Sequence, residues 1–213
     1  MNKANKPYSG FFLTLEGGEG CGKTTLAEKL KADLVKRGVA VLLTREPGGT
    51  KLSEKMRELV LDPNLGLPIC ERAEMMLYLT ARVQQLHERI LPALHAGQFV
   101  ICDRFNDSTL AYQAYARHLG IARVEEICNL VCENVTPDCT LLLDLDPKVG
   151  LSRRKQKDRL ESEALQFHMD VRQGYLHLLD KYPERIKLLD ASQTIEQVFE
   201  EALKIIDERC LNV

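Results

Sequence analysis

The segment Gly17-Gly18-Glu19-Gly20-Cys21-Gly22-Lys23-Thr24 constrains this 213-residue chain more than any other feature. It matches G-x-x-x-x-G-K-[ST], a pattern that average composition produces by chance in about one chain in a hundred of this length. Its setting makes accident rarer, because an apolar run over residues 11–16 precedes it and a helix-period stretch over 21–37 follows. Glycines in such a loop let successive backbone N–H groups converge on phosphate oxygens, and the helix N-terminus behind them adds partial positive charge. Lys23 brings a point charge to the β- and γ-phosphates of a nucleotide, and the Thr24 hydroxyl is a ligand suited to magnesium. A dinucleotide-binding G-x-G-x-x-G has no register here, since Gly18-x-Gly20-x-x runs into Lys23.

The remainder of the chain alternates short apolar runs with longer amphipathic ones. Residues 11–16, 39–43, 99–102, 140–145 and 186–189 are bounded by turn signals or charge and predict buried parallel strands. Helix-period segments cover 21–37 (stopped by Gly38), 71–95, 108–119, 124–134, 161–181 and 195–208, with Pro92 expected to kink or end the second. This alternation predicts βαβ units and one α/β domain over residues 1–213. The 29 Lys+Arg against 31 Asp+Glu leave a net charge of −2, without the basic excess of a protein that coats nucleic acid. No apolar run approaches the ~20 residues of a membrane span, and residues 1–10 lack the apolar centre of a signal peptide. The seven cysteines form no Cys-x-x-Cys, and Cys128 and Cys132, one helical turn apart, have no His or second pair to complete a metal site. They read as free thiols of a reducing, cytoplasmic compartment.

Among phosphate-loop proteins, a GTPase switch would carry Asn-Lys-x-Asp, and a transporter ATPase a Ser-Gly-Gly-Gln-like signature; this sequence has neither. Two strands end in an acidic residue able to face magnesium, at Asp103 and at Asp144, and the pattern alone does not choose between them. Arg104 follows Asp103 directly, at the strand end where α/β sheets bind ligands, and an Arg there suits a second phosphate.

These residues resemble those of bacterial thymidylate kinases over nearly the whole chain. Glu16 through Thr25 resembles that family's phosphate loop, and Thr44-Arg45-Glu46-Pro47-Gly48-Gly49-Thr50 is similar to its second-strand loop. Asp103-Arg104-Phe105 with Ser108, Ala111-Tyr112-Gln113 resembles its third signature, and Asp158-Arg159-Leu160-Glu161 the end of its lid. The resemblance implies a P-loop kinase fold, with a five-stranded parallel sheet wrapped by helices and a basic lid at about 152–161. It also implies a homodimer and transfer of the γ-phosphoryl of ATP to dTMP with Mg²⁺. On the same footing, Glu19 is expected at the acceptor's 3′-hydroxyl, and Arg57 and Arg104 on the acceptor phosphate, where the guanidinium fork fits. Tyr78 is expected to stack on the thymine where relatives carry Phe. Arg82 and Gln113 are expected at the base edge, Thr109 where relatives have Ser or Asn, and Tyr112 beside the sugar's 2′ position. No contact is assigned to Arg45 or Glu46. The loop after the last strand, around Ala191, Ser192 and Gln193, is the candidate adenine pocket.

The basic run Arg153, Arg154, Lys155, Lys157 and Arg159 would ordinarily be a solvated face. The resemblance instead assigns it the positive charge that the phosphate loop lacks, with Arg153 and Arg159 the candidates to reach the phosphoryl group. A phosphate monoester acceptor is largely ionised at neutral pH, so no general base is required, and catalysis reduces to alignment and charge stabilisation. A deoxynucleoside kinase, whose sugar hydroxyl needs a carboxylate base at Glu19 or Glu46, is the first alternative. Another nucleoside monophosphate kinase and a nucleotide-binding regulatory module without turnover are the others.

Overall fold

The structure is a computed structural model and describes residues 8–64, 66, 68–153 and 158–211. Five strands, β1 (Phe11–Gly17), β2 (Val41–Arg45), β3 (Phe99–Asp103), β4 (Cys139–Asp144) and β5 (Ile186–Asp190), pair in parallel in the order β2-β3-β1-β4-β5. The central strands are apolar on both faces because both are covered. Leu13, Leu15, Ile101, Leu141 and Leu143 face Leu26, Leu30 and Leu34 of α1 (Lys23–Lys36) and Val198, Ala202 and Ile206 of α9 (Ile195–Ile206). On the other face Phe12, Val100 and Cys102 pack on Leu86, Ile90 and Leu94, while Leu142 and Ile186 meet Val171, Tyr175 and Leu178 of α8 (Leu165–Lys181). Each such leucine contributes roughly 1.5–3 kcal/mol through burial. The register aligns Leu15 and Arg45 with Asp103, and Gly17 with Leu143, so the carboxyl ends of four strands share one edge.

All five expected strands form, with shifted bounds. The second begins at Val41 because Val39 N–H donates to Leu34 O (3.0 Å) and so belongs to the exit of α1. The expected helix over 71–95 is α3 (Glu71–Gln85), a π-helical turn (Leu86–Ile90) and α4 (Leu91–His95); the widened turn takes up the N–H missing at Pro92, so the proline ends nothing. Residues expected at 108–119 form α5 (Asn106–Thr109) and a second π-helical turn, Leu110–Ala116. The next, α6 (Ile121–Val131), starts earlier than the expected 124, directly after Gly120. The segment expected to be helical from 161 starts at Leu165, since residues 161–164 form turns. Two helices lie outside the expected segments: α2 (Lys51–Leu61), capped by the Thr50 hydroxyl, and α7 (Pro147–Ser152), capped by Asp146. None of the seven cysteines is joined in a disulfide, and five are buried.

Candidate active site

A cleft of about 390 Å³ opens at the carboxyl ends of the strands. Its floor is the loop between β1 and α1. Gly17 (φ 137°) lies where a Cβ would strike the Leu143 carbonyl, and Gly20 (φ 68°) packs as tightly on Gly150 of α7. The N-cap of α1 is Gly22 (φ 95°), whose missing side chain leaves the first-turn N–H groups uncapped. Lys23 Nζ donates to Gly18 O (2.8 Å) and Gly17 O (3.2 Å), folded over the loop it serves. Cys21 is turned inward, its thiol donating to Gly18 O, while Glu19, Gly20, Gly22, Lys23, Thr24 and Thr25 line the cleft.

Thr24 Oγ1 donates to Asp103 Oδ2 across 3.0 Å. Asp144, the other acidic strand end, is instead gripped at both oxygens by Arg172 Nε (2.7 Å) and Nη2 (2.6 Å). The hydroxyl and carboxylate of Thr24 and Asp103 are hard oxygen donors beside the phosphate loop. Two protein oxygens with room for phosphate oxygens and water fit a magnesium ion, which keeps most of its shell from substrate and solvent.

Above the loop, Arg104 organises the walls. It directly follows β3 at φ 75°, a left-handed backbone that a side chain adopts at some cost. Its Nη1 donates to Gly17 O (3.0 Å), Ser108 Oγ (3.2 Å) and Tyr175 Oη (3.1 Å), and its Nη2 donates to Glu19 Oε1 (2.8 Å). Tyr112 Oη donates to the same Glu19 oxygen (2.7 Å), and the Arg104 guanidinium lies 5.1 Å from the Tyr112 ring centre. Burial works against ionisation of Glu19, but Arg104, Lys23 and the Tyr112 hydrogen bond win and hold its carboxyl down at about 2. Glu16 sits beneath this layer, fully buried, accepting from Phe105 N–H (2.7 Å), Ser108 Oγ (2.6 Å) and Tyr175 Oη (2.9 Å). Burial, with nearby Asp107 adding to it, raises its carboxyl to about 7. Neither Glu16 nor Tyr175 stands out by residue type or spacing. The first reads as the end of an apolar strand, the second as a core aromatic of a helix.

The far end of the cleft is built on Arg82, 2% exposed. Its Nε donates to Glu46 Oε2 (2.6 Å), Nη1 to Asn106 Oδ1 (3.1 Å) and Thr109 Oγ1 (2.7 Å), and Nη2 to Phe105 O (3.1 Å). Glu46 thus acquires a contact that sequence reasoning did not supply. Arg45 pairs with Glu54 and, like Arg57, donates to the Pro47 carbonyl (2.9 and 3.0 Å). Burial and neighbouring Arg45 lower the Arg57 pKa. Tyr78, Arg82, Thr109, Tyr112 and Gln113 all line the cleft with Arg57. Burial raises the Tyr78 phenol well above its usual range.

The two lid candidates part company. Arg153 lines the cleft and donates to Gly20 O (3.1 Å). Arg159 does not: its Nη2 donates to Glu74 Oε2 (2.5 Å) and its Nε to Val60 O (2.8 Å), tying the lid's end to α2 and α3. Buried Glu74 is the better partner for a cation because Arg117 and Gln113 alone would leave its charge less compensated. Arg154, Lys155 and Lys157 lie outside the described residues. Ala191, Ser192 and Gln193 follow β5 as a tight turn on Asp190 and stand apart from this cleft.

A glycine loop opening a helix under parallel strand ends, with a second cationic wall at the next strand, defines a phosphate-loop nucleotide kinase. The family described as "Thymidylate kinase" matches residues 15–202. A thymidylate kinase of Protochlamydia amoebophila (strain UWE25) is 44% identical over 212 residues, covering 95% of this chain and 94% of that protein. One of Clostridium novyi (strain NT) is 46% identical over 197 residues, covering 90% and 96%. The crystal structure of thymidylate kinase from Ehrlichia chaffeensis superposes with a TM-score of 0.78 at 30% identity, covering 93% of this chain and 99% of that one. The chain belongs to the thymidylate kinase family, whose reaction is phosphorylation of dTMP with ATP.

Proposed function

We propose that the chain performs this reaction as one kinase unit over residues 1–213, with ATP on the Gly17–Thr25 loop and dTMP in the cleft between Arg104 and Arg82. The observation that carries this assignment is the Arg104–Glu19–Tyr112 cluster, which sets a fixed cation between the phosphate loop and the acceptor end. Lys23 draws the β- and γ-phosphates toward the loop, and Arg104, Arg57 and Arg153 hold the acceptor and transferring phosphates at either side. Thr24 and Asp103 are the residues that would hold magnesium; when bound, the ion neutralises charge on the phosphate oxygens. No side chain acts as general base, because the acceptor oxygen is already ionised.

The deoxynucleoside kinase alternative needs a basic carboxylate, and both candidates argue against it. Glu19, held at about 2, is a weak base, and Glu46 is buried on Arg82. Tyr78 stacks on the thymine, and Arg82 and Gln113 meet its edge, with Thr109 fixing Arg82. Tyr112 packs beside C2′ of the sugar, and Glu19 lies toward its 3′-hydroxyl. A homodimer is supported by exposed apolar residues, Met76 and Val83 on α3 and Leu130 on α6. A cytoplasmic location is supported by the free thiols and by the absence, among the described residues, of a helix long and apolar enough to cross a membrane.

The test is ADP release with ATP and Mg²⁺ against a panel of nucleosides and nucleoside monophosphates. We expect dTMP to be the preferred acceptor and thymidine to be inert. Turnover of thymidine at rates comparable with dTMP would overturn the acceptor assignment.

A further inference from the structure

Glu74, on α3, is 1% exposed and belongs to no catalytic motif. Four N–H groups converge on it. Gln113 Nε2 (3.0 Å) and Arg117 Nε (3.4 Å) donate to Oε1, while Arg117 Nη2 (3.2 Å) and Arg159 Nη2 (2.5 Å) donate to Oε2. These partners outweigh its burial and lower its pKa, so the group is an ionised carboxylate. Such a carboxylate accepts hydrogen bonds and donates none. The Gln113 amide therefore has one allowed orientation, with its nitrogen on Glu74 and its oxygen left over.

Gln113 lines the cleft, and among the described residues its Oε1 receives no donor. Arg82 completes the pattern. Four of its five N–H groups are taken by Glu46, Asn106, Thr109 and the Phe105 carbonyl, leaving one Nη2–H in the same cleft. The base end thus offers one acceptor and one donor. A pyrimidine with a protonated N3 beside a C4 carbonyl complements both. One with an unprotonated N3 beside a C4 amino group meets like with like at both.

We propose that Glu74 is a positioning residue for specificity: by fixing the Gln113 amide, it makes the chain accept pyrimidines with an N3–H donor and reject cytosine. This deepens the proposed function and rests on its assignment of Gln113 to the base. Rejection of this kind is strong because a mismatched base leaves buried polar groups unpaired.

The test compares kcat and KM for dTMP, dUMP and dCMP in the wild type, Glu74→Gln and Gln113→Ala. The dUMP:dCMP ratio isolates the N3/C4 edge, and the dTMP:dUMP ratio reports only the 5-methyl group. An amide at position 74 can donate to Gln113 and lets it turn. Glu74→Gln should therefore shrink the dUMP:dCMP ratio of kcat/KM about tenfold, mainly through KM, with dTMP:dUMP unchanged. An equal loss on all three acceptors would make Glu74 merely structural and overturn the proposal. If Gln113→Ala collapses the ratio and Glu74→Gln does not, the base reading stands and the role of Glu74 fails. An unchanged ratio in Gln113→Ala overturns both. Should Glu74→Gln not fold, Glu74→Asp takes its place: the shorter carboxylate keeps a charge for Arg117 and Arg159 but falls short of Gln113 Nε2, so the dUMP:dCMP ratio should shrink, and an unchanged ratio overturns the proposal. A wild-type preference for dUMP below about tenfold also overturns it.

Discussion

Arg104 Nη2 lies 2.8 Å from Glu19 Oε1, so the cation proposed for the acceptor phosphate is anchored to a carboxylate of the phosphate loop itself. The two walls of the cleft are therefore one electrostatic unit, and loss of either charge disturbs the other.

Glu19→Gln weakens a charge-assisted contact to Arg104 and should lower kcat/KM for dTMP about 10–100-fold, with the KM for ATP nearly unchanged. Steady-state kinetics with each substrate varied in turn checks this. Because the wild-type carboxyl is held at about 2, Glu19 contributes no inflection to the kcat/KM profile between pH 5 and 9.

Glu16 has the opposite sign. Its carboxyl is raised to about 7 in the folded chain against 4.5 when solvated, so the native state binds the extra proton between those values. The stability this group contributes is then greatest at low pH and is lost as pH rises from about 4.5 through about 7, by an amount on the order of 3 kcal/mol. Urea unfolding midpoints from pH 5 to 8 should fall more steeply in the wild type than in Glu16→Gln. Parallel curves would show that the Glu16 proton is not retained on folding.

The lid arginines should separate experimentally. If its charge acts on the phosphoryl oxygens in the transition state, as proposed, Arg153→Ala should reduce kcat more than it raises the KM for dTMP. Arg159→Ala leaves Glu74 with one cation fewer and should appear first as a loss of stability of about 1–3 kcal/mol, read by denaturant melts.

Tyr112 carries two separable functions. Tyr112→Phe keeps the ring, packed edge-on against Phe167 and Tyr175, but frees Glu19 of its hydroxyl donor. Its kcat/KM for dTMP should fall about 3–10-fold while the preference over the ribose counterpart stays within about threefold. Tyr112→Ala should erode that preference and cost about 3 kcal/mol or more of stability. The two acceptors measured against all three proteins decide between ring and hydroxyl.

Much of this was legible in the residues, unevenly. The phosphate loop and the β3 end were readable because glycine spacing and an Arg beside a strand-terminal Asp are local patterns. The three central strands were readable because burial on both faces leaves nearly continuous apolar runs, and the edge strands β2 and β5 because shorter apolar stretches are bounded by charge. Helix α2 was missed although it is at least as amphipathic as α1 or α3, because its segment follows directly on the Thr44–Thr50 loop and reads as part of it; α7 was missed because six residues carry too little pattern. Glu16, Glu46 and Glu74 escaped for a common reason. Each matters through partners 36 or more residues away in sequence, and a buried carboxylate looks in sequence like any other. That Asp144 is engaged by Arg172 while Asp103 faces Thr24 could not be read from the residues, because no spacing rule links Arg172 to β4.

The Arg82 clasp has a consequence for how the protein can come apart. It joins Glu46, just past the edge strand β2, to Asn106 and Phe105 beyond β3. An edge strand is the member of a sheet most easily peeled away, having neighbours on one side only. Here peeling β2 would carry Glu46 off the guanidinium and dismantle the end of the cleft proposed for the acceptor. A bound nucleotide at that end should in turn slow amide exchange along Val41–Arg45. On the proposed assignment, fraying at the margin of the sheet and vacancy of the acceptor pocket are two views of one local equilibrium.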